Sequence, residues 1–363
     1  MAEIAAKIVL TGGPCGGKTT ALSKIEEHFT ELGYKVCIVG ESATEVMRSG
    51  IKCIGEQALD LFSFQELLLK YQLYKEKMYI DAVNKLNIKE KCIIIFDRGV
   101  MDNNAYLGNE QFDYMIQKNN YTKLNLLDRY DLVIHLVTAA LGAESFYTLE
   151  NNEVRSEKNL SDAIAADYRT LNAWRAHSNL LVVDNSNDFE TKIASVISSI
   201  ENQLGINKRV RKQRKYLVEL SNINFLKDAL AIDIEQIYLG NDSYEKRLRK
   251  RTLSGTNTYY LTVQNKDLDG IANVYLDKRI SEDEYYQLLS MYDEYKVIRK
   301  VRYCFIQYNK QFKLDIFEDG KCILESSDDV LDIPNYINIK EDITNDKNFD
   351  NNSLAQKVKI LNS

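Results

Sequence analysis

Proline, paired cysteines and long apolar runs are what this sequence has least of. Two prolines in 363 residues leave little room for a disordered proline-rich linker. The six cysteines form no Cys-x-x-Cys pair and stand mostly in apolar stretches, so a disulfide framework is not expected. No apolar run approaches the roughly 20 residues that cross a bilayer, and no cleavable signal opens the chain. These absences predict a soluble, cytoplasmic protein without a transmembrane segment.

Excess positive charge is also missing. The formal net charge of -6 at pH 7 argues against nucleic acid as a partner of the whole chain, although it leaves local basic patches open. A chain of 363 residues exceeds one ordinary domain, so two domains are the natural expectation.

The first 205 residues alternate short β-branched runs with long helical patterns, which is typical of βαβ units around a parallel sheet. Apolar residues return every three or four positions between these runs, as in crossover helices. Residues 1–205 are therefore expected to form an α/β domain whose ligand binds beyond the carboxyl ends of the strands, and the motif described next makes it a P-loop domain. The five predicted strands of its parallel sheet are KIVLTG, KVCIVG, KCIIIFD, DLVIHLV and LLVVD.

The stretch VLTGGPCGGKTTAL follows the first strand and precedes the first helix. It satisfies the pattern G-x-x-x-x-G-K-[ST], in which glycines bring backbone N–H groups to phosphate oxygens beside a helix N-terminus. Lys18 is expected to neutralise the β and γ phosphates, and Thr19 to place its hydroxyl on Mg²⁺. The residues assigned to nucleotide binding are Gly12, Gly13, Gly16, Gly17, Lys18, Thr19 and Thr20.

Carboxylates and arginines stand where the neighbouring strands end. Asp97 ends CIIIFD and is the expected second Mg²⁺ ligand, and Arg98 follows it, where it can reach phosphate bidentately unless the two form a structural ion pair. Glu41 lies at the end of the second strand. It is expected to act as a general base or to support the metal site, unless its charge only stabilises the N-terminus of the following helix. Arg155, after the fourth strand, is the expected lid arginine, with a solvated loop as the alternative. With Lys18, these four residues make up the predicted catalytic set.

After residue 205 the pattern changes to extended runs rich in tyrosine and charge. Residues 206–363 are expected to form an α+β domain. As strands, SYEKRLRKRT places Arg247, Arg249 and Arg251 on one face, and VIRKVRYCFIQY does the same for Lys300 and Arg302. Like charges aligned along strands favour a groove or antiparallel barrel lined for a polyanion, or an exposed face made soluble by charge.

Both halves resemble known families. The stretches VLTGGPCGGKTTAL, FDRGVMDNNAYL, GAESFYTLENNEVRSE and AWRAHSNLLVVDN resemble the nucleotide-binding domain shared by translocation defect protein 14 and bacterial ribosylnicotinamide kinases. The second half resembles the CYTH, or triphosphate-tunnel, fold in RKYLVEL, QIYLGNDSYEKRLRKR, IRKVRYCF, LDIFEDGKCILE and IPNYINIKEDITNDKNFDNNSLA. The resemblance covers nearly the whole chain in the order found in two-domain proteins of the translocation-defect-protein type.

The resemblance implies anion binding by the second domain more than hydrolysis. The tunnel enzymes begin with E-x-E-x-K, and this chain has Arg211, Gln213 and Lys215 there, while the late acidic pair survives as Glu325 with Ser327. With these replacements the site lacks the carboxylates that would bind Mg²⁺. The positions that match polyanion-binding cations are Lys215, Arg247, Arg249, Lys300 and Arg302.

These features predict an AAA-like, Mg²⁺-dependent protein that binds ATP or GTP, a slow NTPase whose nucleotide state regulates the cationic second domain. That domain is expected to hold a phosphorylated small molecule or an anionic lipid head group. The alternative is a small-molecule kinase for a nucleoside or ribosylnicotinamide-type acceptor, with Phe62, Gln65 and Tyr71 lining the pocket unless they only pack the helix. A triphosphatase in the second domain ranks third. In VVDNSNDF, Asp184 and Asn185 either contact a purine or end the strand, so ATP and GTP are not distinguished.

Overall fold

The computed structural model describes residues 2–147, 159–206, 214–240, 244–265, 274–326 and 333–359. The chain divides into two compact units, Met1–Asn207 and Lys208–Ser363, two residues beyond the division expected from the sequence. Within the described ranges, no helix combines the length and the apolar character that crossing a membrane requires.

The first unit is built around a parallel five-stranded sheet in the order β2-β3-β1-β4-β5. Its strands are β1 (Ile4–Gly12), β2 (Lys35–Val39), β3 (Cys92–Asp97), β4 (Leu132–Leu136) and β5 (Leu180–Val183). Its helices are α1 (Lys18–Glu31), α2 (Ser42–Arg48), α3 (Leu61–Lys85), α4 (Asp102–Lys118), α5 (Lys123–Leu127), α6 (Leu160–Ala173) and α7 (Phe189–Gln203). The predicted α/β class is confirmed.

The central strands bring the predicted site residues to one edge of the sheet. β3 and β4 are buried along almost their whole length, which explains their continuous apolar sequences. The parallel register pairs Leu10 with Asp97 and Gly12 with Leu136. The carboxyl end of β3 therefore lies beside the turn that follows β1, and Asp97 lines the same cavity as residues of that turn.

The second unit contains one antiparallel sheet of ten strands, in the order β10-β9-β8-β7-β11-β12-β13-β6-β14, with β15 paired to β11. Its strands are β6 (Arg214–Leu220), β7 (Leu230–Leu239), β8 (Tyr244–Leu253), β9 (Thr256–Asn265), β10 (Val274–Ile280), β11 (Glu294–Gln307), β12 (Lys310–Phe317), β13 (Cys322–Ser326), β14 (Ile337–Asp342) and β15 (Gln356–Lys359). Its helices are α8 (Glu282–Leu289) and α9 (Asn351–Leu354). The predicted antiparallel α+β class is confirmed.

The register of the second sheet places the predicted cations on one face. Gln236 of β7 lies opposite Arg249 of β8 and opposite Ile298 of β11, and directly opposed residues share a face. Because side chains alternate along a strand, Lys300 and Arg302 point to the same side as Arg249. The face is not a solvated one, since Lys300 is only 5% exposed.

Candidate functional site

The turn between β1 and α1 has the backbone geometry of a phosphate loop. Gly12 has φ +143° and Gly17, which caps α1, has φ +88°, conformations that favour glycine. A Cβ on Gly12 would lie 2.1 Å from the carbonyl oxygen of Leu136, and one on Gly16 would lie 2.7 Å from the same atom. The turn therefore packs directly on the end of β4, and its backbone N–H groups stand at the N-terminus of α1, where anions are favoured.

Lys18 folds back over this loop. Its ammonium donates hydrogen bonds to the carbonyl oxygens of Gly12 and Gly13 at 3.2 and 3.1 Å. Desolvation and the nearby Arg98 lower the pKa of Lys18 to about 8. An incoming phosphate would stabilise the charged ammonium, which is the interaction expected of a lysine in this motif.

Asp97 presents an unsatisfied carboxylate at the end of β3. Its Oδ1 is buried and makes no hydrogen bond in the structure. Burial raises the pKa of Asp97 and the neighbouring Glu41 adds to the rise, although Lys18 opposes it. Such a group is stabilised by a cation. Among the described residues no group of three or more His, Cys, Asp or Glu is arranged to hold a metal, and Mg²⁺ in phosphate sites needs only one or two carboxylates beside phosphate oxygens. Asp97 and Thr19, which line one cavity, fit Mg²⁺ on that basis.

Arg98 is fixed between the phosphate loop and β2. Its Nε donates to Glu41 Oε1 at 2.5 Å, and its Nη1 donates to the carbonyl oxygen of Gly12 at 3.3 Å. Burial raises the pKa of Glu41, but Arg98, the Thr44 hydroxyl and Lys18 outweigh burial, so this pKa lies below its usual value. Glu41 is thus an anion that orients Arg98, which fits a supporting role better than that of a general base.

Two buried carboxylates that the sequence analysis did not assign hold this arrangement together. Asp102 accepts hydrogen bonds from the Thr11 hydroxyl at 2.7 Å and from Trp174 Nε1 at 2.6 Å. Asp167 accepts the backbone N–H of Gly13 at 2.7 Å. Their signal in the sequence is weak, because each is an aspartate on an amphipathic helix whose burial depends on neighbouring elements.

Asp167 also explains the position of His135. Its Oδ1 lies 3.1 Å from His135 Nε2 and accepts the backbone N–H of Thr138 at 3.1 Å. A Cβ on Gly13 would lie 2.4 Å from the same oxygen, so glycine is required there. His135 is a fully buried residue under the loop.

A cavity of about 1340 Å³ extends from the phosphate loop in two directions. On the side of α2 and α3 its walls include Met47, Cys53, Phe64, Gln65, Leu68 and Tyr106. On the side of β5 and α7 they include Asn185, Asn187, Asp188, Phe189 and Lys192. The predicted residues Lys18, Thr19, Thr20, Glu41, Asp97 and Arg98 line the space between.

The three predicted acceptor residues separate in the structure. Gln65 lines the cavity, and its Oε1 is buried without a hydrogen bond. Phe62 instead faces Tyr114, with 5.9 Å between ring centroids, and the Tyr71 hydroxyl donates to Glu45 at 2.8 Å. The predicted lid residue Arg155 lies outside the described residues.

In the second unit, two of the predicted anion-binding cations have buried acidic partners. Arg302 donates from Nε and Nη2 to the carboxylate of Asp315 at 2.6 and 2.7 Å, and from Nη2 to Glu325 at 2.7 Å. Lys300 lies 2.5 Å from Asp315 Oδ2. Although burial raises the pKa of Asp315, Arg302 and Lys300 lower it to about 2. The charges of this cluster are thus largely neutralised within the fold.

The other cations on this face are less engaged. Arg247 and Arg249 each have a buried Nε without a hydrogen bond, and the Arg249 guanidinium lies 4.8 Å from the centre of the Tyr260 ring. Burial lowers the pKa of Arg249. Lys215 lies 3.5 Å from Asp350, a long contact to an exposed carboxylate. Among the described residues of this face, Arg247 and Arg249 thus each keep at least one donor, Nε, without a hydrogen bond, although Arg247 Nη2 donates to the Thr262 hydroxyl at 3.3 Å.

Comparison with known proteins finds two curated relatives that are each similar to about a third of the chain. Nucleoside-triphosphatase THEP1 of Methanocaldococcus jannaschii is 31% identical over an alignment of 127 residues, and the match covers 31% of this chain and 73% of that protein. Thymidylate kinase of Mycoplasma capricolum is 32% identical over 103 residues, 28% of this chain and 47% of that kinase, so the match spans about half of that relative.

Solved structures give lower identities. Inorganic triphosphatase NE1496 is 23% identical, with 41% of this chain and 95% of that chain covered and a TM-score of 0.30. Deoxyadenosine kinase from M. mycoides is 18% identical, with 54% and 99% covered and a TM-score of 0.38. The profile of a family described as an AAA domain matches residues 7–192, just over half of the chain and the whole stretch from β1 into α7. The chain therefore belongs to this AAA-domain family of P-loop proteins.

Proposed function

We propose that the first unit binds ATP or GTP with Mg²⁺ and hydrolyses it slowly, and that its nucleotide state regulates anion binding by the second unit. The observation that carries the proposal is the convergence of Lys18, Arg98 and the unsatisfied Asp97 carboxylate on one phosphate loop. The similarity to a nucleoside triphosphatase supports the same reaction class. The proposed domains are residues 1–205 and 206–363.

The residues of the site provide several positively charged groups, whereas they provide a poor general base. Phosphoryl transfer depends mainly on positioning and on stabilising charge around the transferred group. The loop N–H groups, Lys18 and Arg98 provide that charge, and Mg²⁺, held by Thr19 and Asp97, would add to it. Glu41 is engaged with Arg98 and has a lowered pKa, so it is a poor acceptor for the proton of an attacking water. Slow turnover follows from this arrangement.

A small-molecule kinase is a second candidate because of Gln65. A buried amide oxygen without a partner costs free energy unless a ligand donates to it. Gln65 Oε1 is such an atom, and Phe64 and Leu68 provide apolar walls around it. A planar acceptor with an N–H group, such as a nucleobase or a carboxamide, would satisfy this oxygen.

Product analysis separates the two functions. We expect the wild type, given Mg²⁺ with ATP or GTP, to release inorganic phosphate slowly, and we expect no phosphorylated product from a nucleoside panel that includes nicotinamide riboside. A phosphorylated acceptor would establish the kinase instead. In that case, Gln65→Leu should raise the KM for the acceptor about tenfold, the effect of one buried hydrogen bond to the substrate, with the release of phosphate in its absence unchanged.

For the second unit we propose that Arg247 and Arg249 are the main residues that bind a polyanion, which is either a phosphorylated small molecule or an anionic lipid head group. In a Lys18→Ala background, which removes the loop ammonium from the first unit, Arg249→Ala should weaken tripolyphosphate binding about tenfold further, as expected for one charge-assisted hydrogen bond. Arg299→Ala is the matched control, because Arg299 lies on the other face and pairs with Glu235. Equal affinities in the two variants would contradict the assignment.

The regulatory part needs its own measurement. The wild-type chain is saturated either with a non-hydrolysable nucleoside triphosphate or with the nucleoside diphosphate. The affinity of the second unit for tripolyphosphate should differ between these two states by about fivefold or more, the lower range of allosteric coupling. The same affinity in both states would leave two units that bind ligands independently.

A further inference from the structure

The wall of the cavity formed by β5, the following loop and α7 adjoins the start of α1, where the phosphates would bind. A nucleobase attached to those phosphates reaches this wall or the opposite one. The side chains of the wall therefore decide how a base is recognised, and most of their polar atoms already have partners within the protein.

The side chains of the two residues that follow β5 form hydrogen bonds within the protein. Asp184 Oδ1 accepts the backbone N–H and the hydroxyl of Ser186 at 3.0 and 2.6 Å. The Asn185 amide donates to the carbonyl oxygens of Thr138 and Leu141 at 2.8 and 2.7 Å. Of the two interpretations of these residues, the structure favours ending the strand over contact with a purine.

The following residues are engaged in the same way. Lys192 donates to Asn185 Oδ1 at 2.7 Å and to the carbonyl oxygen of Val137 at 2.9 Å. Asp188 caps α7 by accepting the backbone N–H of Thr191 at 2.8 Å. Asn187 keeps the most freedom, because its amide makes only a 3.3 Å hydrogen bond to the Ser186 hydroxyl.

Phe189 is the apolar member of this wall. It is the first residue of α7 and remains 43% exposed. Its ring packs against the phosphate loop, since a Cβ on Gly17 would lie 2.6 Å from Phe189 Cε2. An aromatic ring held in this way, with one part on the loop and another open to the cavity, offers a surface for stacking.

We propose that Phe189 is the platform on which the nucleobase stacks, and that the first unit recognises the base by stacking rather than by side-chain hydrogen bonds. This inference rests on the proposed binding of nucleoside triphosphates. Every base has a π face, so stacking tolerates a change of base, whereas strong discrimination requires hydrogen-bonding groups built for one base edge. ATP and GTP should therefore bind about equally.

The test is displacement of a fluorescent nucleotide, which reports the first unit alone. We expect wild-type affinities for ATP and GTP to agree within about threefold, and Phe189→Ala to weaken both by about fivefold or more, the lower range for loss of one aromatic–base stack. Phe189→Tyr should retain the wild-type affinities. Inorganic tripolyphosphate, which has no base, should displace the probe equally well from the wild type and from Phe189→Ala, which shows that the loop is intact.

Matched variants separate base stacking from the general effect of removing an aromatic side chain. Tyr74→Ala removes an exposed aromatic side chain that does not line the cavity and should change no affinity. A preference above about tenfold between ATP and GTP, or a preference that Asn187→Ala alters, would show hydrogen-bonded readout and overturn the inference. Unchanged nucleotide affinity in Phe189→Ala would do the same. If the wild type binds no nucleotide, the proposed function fails together with the inference.

Discussion

Lys18→Ala is expected to reduce turnover of ATP and GTP by at least about 100-fold, the usual loss when one preorganised donor to a developing charge is removed. The ammonium of Lys18, the first residue of α1, lies on the phosphate loop, where it donates to the carbonyl oxygens of Gly12 and Gly13. Phosphate release measured at saturating Mg²⁺ gives the result directly, and nucleotide displacement shows how much of the loss is binding.

Lys24→Ala provides the matched control. Lys24 lies on the same helix but is exposed and pairs with Glu27, and an exposed pair of this kind contributes little to stability. We expect its turnover to remain that of the wild type. Turnover of Lys18→Ala within about threefold of the wild type would mean that the phosphate loop is not the reacting site, because such a small change corresponds to less than about 1 kcal/mol.

The phosphate loop was predictable from sequence because its pattern is local. The glycines, Lys18 and Thr19 stand within eight consecutive residues, so one short stretch of sequence carries the whole motif. Asp97 was predictable for a related reason, since the carboxyl ends of parallel strands meet at one edge of the sheet. Whether these residues carry out catalysis stays a prediction.

The partners of these residues were not predictable. Arg98 meets Glu41 rather than forming a pair with the adjacent Asp97, because β2 and β3 are neighbours in the sheet although the two residues are far apart in sequence. Asp167 follows an amphipathic pattern that fits an exposed helix face equally well. Its burial depends on the contact with Gly13, which only the folded chain provides.

In the second unit, too, the sequence predicts which charged residues share a face but not which residues they contact. Alternation along strands predicted that Lys300 and Arg302 share a face, but the opposing strand decides what they meet there. The register places Asp315 directly opposite Arg302. A pattern of cations that indicates a ligand site can therefore also indicate an internal ion cluster, and only the pairing of β11 with β12 distinguishes the two.

Asp315→Asn is expected to lower the free energy of unfolding of the second unit by about 3–5 kcal/mol, the cost of leaving a buried charge without its partner. Asp315 is fully buried and bonds both Lys300 and Arg302. The asparagine keeps the shape of the side chain but cannot neutralise the two cations. Urea unfolding, followed by a probe of the second unit, measures the difference. Asp319→Asn, on an exposed turn, should change it by less than about 0.5 kcal/mol.

Acid unfolding tests whether charge is the cause. The pKa of Asp315 is about 2 in the folded protein and 3.8 for an unperturbed aspartate. The contribution of its charge is therefore complete above about pH 4 and is lost as the pH falls towards 2, because the folded state then takes up the proton that the unfolded state already holds. The stabilities of the wild type and Asp315→Asn should converge over this range. A difference that persists unchanged at pH 2 would assign the effect to packing, and the cations of this face would then not depend on Asp315 for their neutralisation.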